Sequence, residues 1–278
     1  GPLNTGTIRE AIMIDAEVLE RYRTARRVAV ITGAGISHES GIPTFRGPDG
    51  FWRKFPAHEL ATPRAFARNP ALVWEWYNWR RGICARAVPN AAHQIVARME
   101  EEERDFLLIT QNVDNLHRRA NSRAIIEIHG SIFRARCSEC HHKFTLEYDP
   151  ERDAVDAHMD EAVDFDTYRS EHSQDSLPHC ERCGALARPD IVWFGESYDQ
   201  ALLGQALDFL TATQFVMVIG TSGMVPIPVY LTQHAVQHGA YAVDVNPDES
   251  DLTAIVQASI RMAAGIALPA FWEQAHAR

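Results

Sequence analysis

The sequence predicts an α/β protein with a Rossmann-like, doubly wound parallel sheet and a second, smaller domain. Short apolar segments alternate with helix-like segments, and two stretches of different composition interrupt that alternation. The apolar segments carry β-branched or other apolar residues on both faces, as expected when helices cover both sides of a parallel sheet. The predicted strands are residues 28–32, 106–110, 215–221 and 241–245.

The segments between these strands favour helices. Residues 9–25 alternate apolar and charged side chains with the helical period, and residues 70–87 start with a proline, which suits a first helical turn. The predicted helices are residues 9–25, 70–87, 91–103, 199–212 and 227–238.

The two interrupting stretches predict the smaller domain. Residues 47–90 form a helical module rich in Trp and Pro, and residues 134–190 form a module that contains four paired cysteines. Residues 8–46, 91–133 and 191–278 remain for the large domain, so that both domains lie within residues 8–278.

The composition is that of an ordinary globular protein, because 46% of the 278 residues are hydrophobic and 23% are charged. The formal net charge of −10 argues against sequence-independent binding to nucleic acid, which needs Lys and Arg at the phosphates. Residues 147–175, called the acidic segment below, contain eleven Asp and Glu against two Arg. We expect the acidic segment to be an exposed, mobile loop.

The start of the chain carries no targeting pattern. Gly1, Pro2 and Leu3 resemble the scar of a protease site, so residues 1–5 are expected to be a tag remnant and a flexible N-terminus. No apolar run is long enough for a membrane helix. Together with an odd number of cysteines, five, this indicates a reducing compartment, and we expect a cytoplasmic protein that binds no membrane.

Four cysteines form two C-x-x-C pairs, Cys137 with Cys140 and Cys180 with Cys183. Each pair can form a tight knuckle, and four thiolates that leave no open coordination position are typical of a structural zinc site. Two disulfides or four unrelated thiols are the alternatives. The pattern favours a zinc-ribbon module.

A glycine-rich turn, G-A-G-I-S at 33–37, follows the first predicted strand. Such a turn lets backbone N–H groups approach a pyrophosphate, but a tight structural turn has the same sequence. His38 stands where the full dinucleotide pattern has a third glycine. Further along, Phe45 can cover a flat ring and Arg46 can pair with a phosphate, which strengthens the ligand-binding interpretation.

Polar residues, among them Gln111, Asn112 and Asp114, follow the second predicted strand, where open α/β sheets bind their ligands. His129 comes next, between an isoleucine and a glycine. Its imidazole can act as a general base near neutral pH, although a hydrogen-bonded core histidine is the commoner explanation of a lone His.

Taken in order, these motifs resemble the sirtuin family of NAD-dependent protein lysine deacylases, over about residues 8–275. The matching motifs are G-A-G-I-S at 33–37, G-I-P-T-F-R at 41–46, T-Q-N-V-D-N-L-H at 110–117, I-H-G at 128–130, the two C-x-x-C pairs, R-P-D-I-V-W-F-G-E at 188–196, G-T-S at 220–222 and V-N at 245–246.

The resemblance implies which residues bind the co-substrate and perform catalysis. NAD would be bound by Gly33, Ala34, Gly35, Ser37, Phe45, Arg46, Gln111, Asn112, Val113, Asp114, Gly220, Thr221, Ser222, Asn246 and Ala264. His129 would be the general base, and Asn112 and Asp114 would be the other catalytic residues. One structural zinc ion would be bound by the four paired cysteines.

The resemblance also implies how an acyl-lysine peptide is bound. The peptide backbone would pair with a strand formed by Val192, Trp193, Phe194, Gly195 and Glu196.

Tyr77 and Arg80 match the Tyr-x-x-Arg pair of the sirtuins that favour acidic acyl groups, since a phenol and a guanidinium suit a carboxylate. Ala61 matches a small residue that leaves room for the longer acyl chain. The alternative is a Trp-rich packing helix with an exposed Arg.

The implied activity is removal of succinyl or malonyl groups, and more weakly of acetyl groups, from lysine. The products would be nicotinamide, O-acyl-ADP-ribose and free lysine. The partners would be acyl-lysine-bearing proteins or peptides. The protein is expected to be a monomer that binds no nucleic acid. Two other functions fit the same residues: an NAD-consuming ADP-ribosyltransferase or NAD glycohydrolase, and a non-catalytic NAD-sensing module.

Overall fold

The computed structural model describes residues 12–44, 51–155, 161–169, 176–223 and 225–277. The strands are β1 (Arg27–Thr32), β2 (Phe51–Trp52), β3 (Phe55–Pro56), β4 (Asp105–Thr110), β5 (Ile125–Glu127), β6 (Gly130–Cys137), β7 (Lys143–Thr145), β8 (Ala187–Ile191), β9 (Phe215–Ile219), β10 (Tyr241–Val245) and β11 (Ala258–Ile260). The helices are α1 (Ala16–Thr24), α2 (Ala57–Leu60), α3 (Pro63–Arg68), α4 (Pro70–Arg86), α5 (Ala91–Glu100), α6 (Leu116–Arg119), α7 (Pro150–Asp153), α8 (Gln200–Thr211), α9 (Pro226–Gln237) and α10 (Ala264–Ala275), and a 3-10 helix spans Ala34–Ser40.

The large sheet confirms the predicted doubly wound α/β class. Its strand order is β11-β10-β9-β1-β4-β5, and every neighbouring pair is parallel. The four predicted strands are the long ones. The two additional strands, β5 and β11, have three residues each, which is too short for a periodic signal in the sequence.

Helices cover both faces of this sheet, because alternate residues of one strand enter different cores. Val28 and Val30 of β1 pack with residues of α1, α5 and α10. Ala29 and Ile31 of the same strand pack with residues of α8 and α9. The continuous apolar strands of the sequence are therefore explained by burial on both sides.

The carboxyl ends of the central strands lie at one edge. Thr32, the last residue of β1, is in register with Thr110 of β4 and Ile219 of β9, and Ile219 is in register with Val245 of β10. The loops that leave these four strands therefore start side by side. The chain continues to opposite sides of β1, which is the arrangement that opens a ligand-binding crevice.

The small domain combines a three-stranded antiparallel sheet, β7-β6-β8, with helices α2, α3 and α4. Both parts contribute to one hydrophobic core, in which Trp74 of α4 lies among residues of β6 and β8. The indole nitrogen of Trp74 donates a hydrogen bond to the backbone oxygen of Ala187, 3.0 Å away. β6 begins at Gly130, within the range expected for the large domain, so one strand continues across the expected boundary.

The predicted helix over residues 9–25 is wrong at its start. α1 begins only at Ala16, where the Asp15 side chain accepts a hydrogen bond from the backbone N–H of Glu17. Ile12 and Ile14 instead bond through their backbones to the amide of Gln274 on α10. At residues 12–15, tertiary contact with α10 thus replaces the predicted helical turn. Residues 9–11 lie outside the described residues.

The predicted strand over residues 215–221 ends early, at Ile219. Gly220 has a φ of +68°, a left-handed conformation that a strand does not contain. Helix α5 likewise ends at Glu100 instead of residue 103, and α10 was not predicted at all. A proline, Pro269, lies inside α10 and obscures its helical pattern.

Every described carboxylate of the acidic segment except that of Asp153 is exposed, as expected, but part of the segment also makes specific contacts. Its residues 161–169 pack on α3 and α4, where Asn69 donates to the backbone oxygens of Phe165 and Tyr168 at 2.8 and 3.2 Å. The Tyr168 hydroxyl donates to the carboxylate of Glu75, 2.5 Å away. Arg68 and Asp166 add a bidentate ion pair. The acidic segment therefore joins the two modules of the small domain. Residues 156–160 and 170–175 lie outside the described residues.

No helix in the described part of the chain is long and apolar enough to cross a membrane.

Replacing Glu75 by Gln should lower the free energy of unfolding by about 1–3 kcal/mol, because the carboxylate is 6% exposed and pairs with Arg53 at 2.8 Å. Urea denaturation of the wild type and the variant measures this loss. The matched control is Glu17→Gln, whose partner Arg21 is 56% exposed, and there the change should stay below about 0.5 kcal/mol. Equal effects of the two variants would contradict the structural role of Glu75.

Candidate active site

The glycine-rich turn after β1 packs directly on the loop after β9. The backbone N–H groups of Gly33 and Gly35 donate to the oxygens of Ile219 and Gly220, at 2.9 and 2.8 Å. A Cβ at Gly35 would lie 2.7 Å from the Cα of Gly220, and a Cβ at Gly220 would lie 2.4 Å from the nitrogen of Ile36. Both glycines are therefore required by backbone packing alone. The alternative of a tight structural turn is therefore sufficient to explain these two glycines. Ala34, which lies between Gly33 and Gly35, is exposed, so a ligand can still contact the turn there.

The loop after β4 lies across this turn. The side-chain amide of Asn112 donates to the backbone oxygen of Gly33 at 3.0 Å, and the backbone N–H of Gln111 donates to Thr32 at 2.9 Å. Val113, half-buried, packs against the core of the small domain. The Gln111 nitrogen Nε2 is buried and has no hydrogen-bond partner among the described residues. An orphaned amide donor at this position fits a ligand that brings an acceptor.

A buried chain of hydrogen bonds supports the floor of the site. The N–H of Asn90 donates to Nδ1 of His93 at 3.0 Å, so the neutral imidazole carries its proton on Nε2, 3.2 Å from the Ser37 hydroxyl. That hydroxyl donates to the carboxylate of Asp114 at 2.6 Å. Ser37 was expected to contact NAD, but its side chain is 1% exposed and is hydrogen-bonded to His93 and Asp114.

Burial sets the protonation of this chain. It raises the pKa of Asp114 above its usual range, against the hydrogen bonds from Ser37 and from the N–H of Leu116. It lowers the pKa of His93 to about 4. A second buried histidine, His117, lies with its ring centre 5.0 Å from that of His93, and burial lowers the pKa of His117 well below its usual range. Both imidazoles are therefore neutral at physiological pH.

His129 follows β5 and points one ring nitrogen at each of two neighbours. Nδ1 lies 3.2 Å from the backbone oxygen of Gln111, and Nε2 lies 3.4 Å from the hydroxyl of Tyr198. Because a carbonyl oxygen only accepts, Nδ1 carries the proton and Nε2 keeps its lone pair. The Tyr198 ring lies nearly parallel to the imidazole, 15° between planes. In the neutral imidazole Nε2 is therefore the acceptor nitrogen, and the Tyr198 hydroxyl is its neighbour.

The expected strand at residues 192–196 is absent from this structure. β8 ends at Ile191, and the N–H of Glu196 donates to the oxygen of Trp193, which makes a turn with Gly195 at φ +83°. The side chains explain the turn: Glu196 accepts two hydrogen bonds from Arg188, at 2.8 and 2.7 Å, and one from the backbone of Trp193. Although burial acts in the opposite direction, the Arg188 hydrogen bonds lower the pKa of Glu196.

The ends of this turn contact both domains. The N–H of Val192 donates to the oxygen of His129 at 3.0 Å, and the N–H of Phe194 donates to the oxygen of Ala61 at 3.1 Å. The Phe194 side chain is 63% exposed. Residues 192–194 therefore lie between the histidine and the helical module.

The residues expected to form the acyl pocket lie together. Tyr77 of α4 is 1% exposed, and its oxygen accepts a hydrogen bond from the indole nitrogen of Trp193 at 2.8 Å. The Arg80 guanidinium lies 5.2 Å from the centre of the Tyr77 ring. Ala61 belongs to the same apolar cluster. Burial raises the pKa of Tyr77, so its hydroxyl keeps its proton.

The loops after β9 and β10 lie at the other end of the crevice. Asn246 donates to the backbone oxygen of Thr221 at 2.7 Å, and the Ser222 side chain is exposed. Ala264, expected near adenine, is buried in the main core at the start of α10. Phe45 and Arg46, also expected to bind NAD, lie outside the described residues.

The four paired cysteines converge, with all their sulfur atoms within 4.8 Å of one another. All four are free thiols, so the two-disulfide alternative is wrong. Sulfur separations of 3.4 Å between Cys137 and Cys183 and 3.6 Å between Cys140 and Cys180 are close to the separation of about 3.8 Å that tetrahedral Zn–S bonds of about 2.3 Å give. Backbone N–H groups of the knuckles point at the sulfurs, which suits thiolates. The donor set fits zinc.

The doubly wound parallel sheet and the second, smaller sheet with its cysteine cluster define a two-part α/β protein. The Sir2 family model matches residues 33–226. An NAD-dependent protein deacylase of Aquifex aeolicus is 46% identical over 228 residues, 82% of this chain and 86% of the relative. One from Leptospira interrogans is 42% identical over 254 residues, 91% and 95% of the two chains.

Solved structures agree. A Sir2 homologue in complex with NAD has a TM-score of 0.79 at 37% identity and covers 95% of this chain and 94% of its own. A Sir2 complex with a p53 peptide and NAD has a TM-score of 0.75 at 29% identity, over 94% and 98%. This chain therefore belongs to the Sir2 family.

Sequence reasoning missed several residues of the site. Tyr198 and His93 stand in none of the motifs, and His117 ends the motif at 110–117 but was given no role. The only signal for His93 is its position three residues after Asn90, where the two make a capping box that starts α5. Tyr198 carries no sequence signal, because its contact with His129 depends on the path of a loop.

Zinc removal should destabilise the small domain. We expect the purified protein to carry one zinc ion per chain by elemental analysis, and Cys183→Ser to lose it together with thermal stability, because a Cys₄ site needs all four thiolates. Cys84→Ala is the control for zinc content, since Cys84 lies in α4, is buried in the core of the small domain, and burial raises its pKa to about 12. Full zinc content in Cys183→Ser would refute the assignment.

The buried His93 should make stability depend on pH. Its folded pKa of about 4 lies below the unfolded value of about 6.5, so the unfolded chain takes up the proton first and stability falls as the pH drops through this window. The loss amounts to about 3 kcal/mol. The raised pKa of Asp114 changes stability in the opposite direction. The measurement is therefore the change in the free energy of unfolding between pH 7 and pH 4, obtained by urea titration and compared between the wild type and His93→Asn.

The exposed His58 provides the control, because stability should change between pH 7 and pH 4 by the same amount in His58→Asn as in the wild type. Parallel pH profiles for wild type and His93→Asn would contradict the neutral, buried state of His93.

Proposed function

We propose that this chain is an NAD-dependent protein lysine deacylase that removes acidic acyl groups, succinyl or malonyl, and more weakly acetyl groups. The observation that carries the proposal is the geometry of His129, whose Nδ1 is fixed on the Gln111 backbone oxygen, so that Nε2, 3.4 Å from the Tyr198 hydroxyl, is the acceptor nitrogen. The curated relatives named as NAD-dependent protein deacylases and the Sir2 complex with NAD support the co-substrate.

The crevice offers binding groups along its length. The phosphate end of NAD would be bound by Gly33, Ala34 and Gly35. The adenosine end would be bound by Asn246 and the loop 220–222. The orphaned Nε2 of Gln111 would donate to the nicotinamide end, next to Asn112 and Asp114. When bound, NAD supplies a ribose whose bond to nicotinamide is broken, and it takes up the acyl group.

The protein's own contribution to the reaction is positioning and proton transfer. His129 accepts a proton at Nε2 from a ribose hydroxyl, and the Gln111 oxygen stabilises the resulting imidazolium through Nδ1. Asn112 is held by Gly33, and Asp114 by Ser37, so neither side chain is free to rotate. The turn 192–196 would offer the backbone of Val192–Phe194 to an acyl-lysine peptide, with a rearrangement to an extended form on binding.

The acidic preference is supported by Tyr77 and Arg80, which share one face of α4. A phenol proton and a guanidinium in an apolar cluster are strong partners for a carboxylate and weak partners for a methyl group. Ala61 leaves room beside them. The substrates would be acyl-lysine-bearing proteins, bound by a monomer in the cytoplasm.

The test is a panel of acetyl-, succinyl-, malonyl- and glutaryl-lysine peptides with and without NAD, read by mass spectrometry of the products. We expect O-acyl-ADP-ribose and free lysine, made only with NAD. ADP-ribosylated protein or plain ADP-ribose would instead identify a transferase or glycohydrolase, and no turnover would leave an NAD-sensing module.

His129→Ala should reduce kcat by about 10²–10⁴-fold, because general-base assistance is lost. The thermal unfolding temperature should stay near that of the wild type, since the imidazole is only half-buried. The control is His58→Ala on the exposed surface of α2, expected to have full activity. A nearly active His129→Ala protein would refute the role of the base.

Arg80→Met should lower kcat/KM for succinyl-lysine about 10- to 100-fold more than for acetyl-lysine, because a buried carboxylate loses its charged partner. Arg64→Met, on the exposed side of α3, should change neither rate. Equal losses with the two peptides would remove Arg80 from the acyl pocket.

A further inference from the structure

Trp193 contacts Tyr77 through its side chain, not through the backbone that a peptide would use. The indole nitrogen Nε1 lies 2.8 Å from the Tyr77 oxygen, and both side chains are buried, at 2% and 1% exposure. An indole N–H is a donor only. The phenol oxygen therefore accepts this hydrogen bond, and the proton of the phenol is directed away from Trp193.

The Trp193 indole also contacts an ion pair, that of Arg188 with Glu196. The Arg188 guanidinium carbon lies 3.7 Å from the centre of the Trp193 ring, and Arg188 is held by two hydrogen bonds to Glu196. Glu196 also accepts from the backbone N–H of Trp193 at 2.9 Å. Ion pair, indole and phenol thus form one continuous chain that ends at the Tyr77 hydroxyl.

We propose that Trp193 is a specificity-determining residue that directs the Tyr77 hydroxyl to act as a donor toward the acyl group. This inference rests on the proposed deacylase function and deepens it. A hydroxyl whose oxygen already accepts from Trp193 is predisposed to give its proton to a carboxylate. An acetyl group offers no such acceptor at its end, so Trp193 favours acidic acyl chains without touching them.

The test compares kcat/KM for succinyl-lysine and acetyl-lysine peptides and uses their ratio. Trp193→Phe keeps an aromatic ring but removes the donor, and we expect the ratio to fall about 3- to 10-fold. Any loss common to both substrates cancels in the ratio. Trp272→Phe, on α10 at the edge of the main core, is the matched control and should leave the ratio at the wild-type value.

A double-mutant cycle separates this role from simple packing. Tyr77→Phe should lower the ratio by itself, and Trp193→Phe should change it less than about 2-fold in that background, because the hydroxyl that it directs is gone. A wild-type ratio retained in Trp193→Phe, or an equal fall in both backgrounds, would overturn the proposal.

A measurement on folded protein without any Trp193 substitution adds a second arm. In heteronuclear NMR spectra, Tyr77→Phe should shift the indole N–H resonance of Trp193 and leave that of Trp272 in place. An unmoved Trp193 resonance would contradict the hydrogen bond. Wild-type protein without NAD-dependent deacylation would instead defeat the proposed function. Wild-type deacylation without any acidic preference would defeat the acyl assignment and Trp193 with it.

Discussion

The close approach of two loop backbones, at Gly35 and Gly220, is the constraint on which the crevice depends. The parallel register brings the ends of β1 and β9 side by side, and hydrogen bonds from Gly33 and Gly35 then join the two loops. No side chain fits at this contact. The glycine-rich turn is therefore held rigidly, and a rigid surface loses little conformational entropy when a ligand binds to it.

Beneath that surface the side chains of His93, Ser37 and Asp114 are hydrogen-bonded to one another. His93, Ser37 and Asp114 form a chain in which each donor has one acceptor, and burial keeps both neighbouring imidazoles neutral. Such a layer costs desolvation free energy, but it fixes the rotamers of the residues that face the crevice. Two kinds of histidine result: His93 and His117 are buried and neutral, whereas His129 is half-buried and has its Nε2 3.4 Å from the Tyr198 hydroxyl.

The small domain brings distant parts of the chain to the same place. Residue Ala61 precedes α4, Tyr77 lies in it, and Trp193 follows β8, yet all three belong to one apolar cluster. The zinc-ligand cysteines fix β6 against β8, and residues 161–169 of the acidic segment tie that sheet back to α4 through Glu75 and Asn69. The relative placement of Ala61, Tyr77 and Trp193 thus depends on contacts made far along the chain.

The sequence alone determined the class of fold, the long strands, the cysteine quartet and the family, because these follow from local patterns: apolar runs, C-x-x-C spacing and motifs in order. The ends of the four long strands lie within two residues of the predicted ends. The prediction worked because continuous apolar strands are typical of a parallel sheet that helices cover on both faces. What lay beyond local pattern was decided by tertiary structure. The start of α1 was lost to contacts with Gln274, residues 192–196 became a turn held by Arg188, and 161–169 packed on α4. The hydrogen bond from Trp193 to Tyr77 joins residues 116 positions apart, and no periodicity in a sequence encodes a contact at that distance.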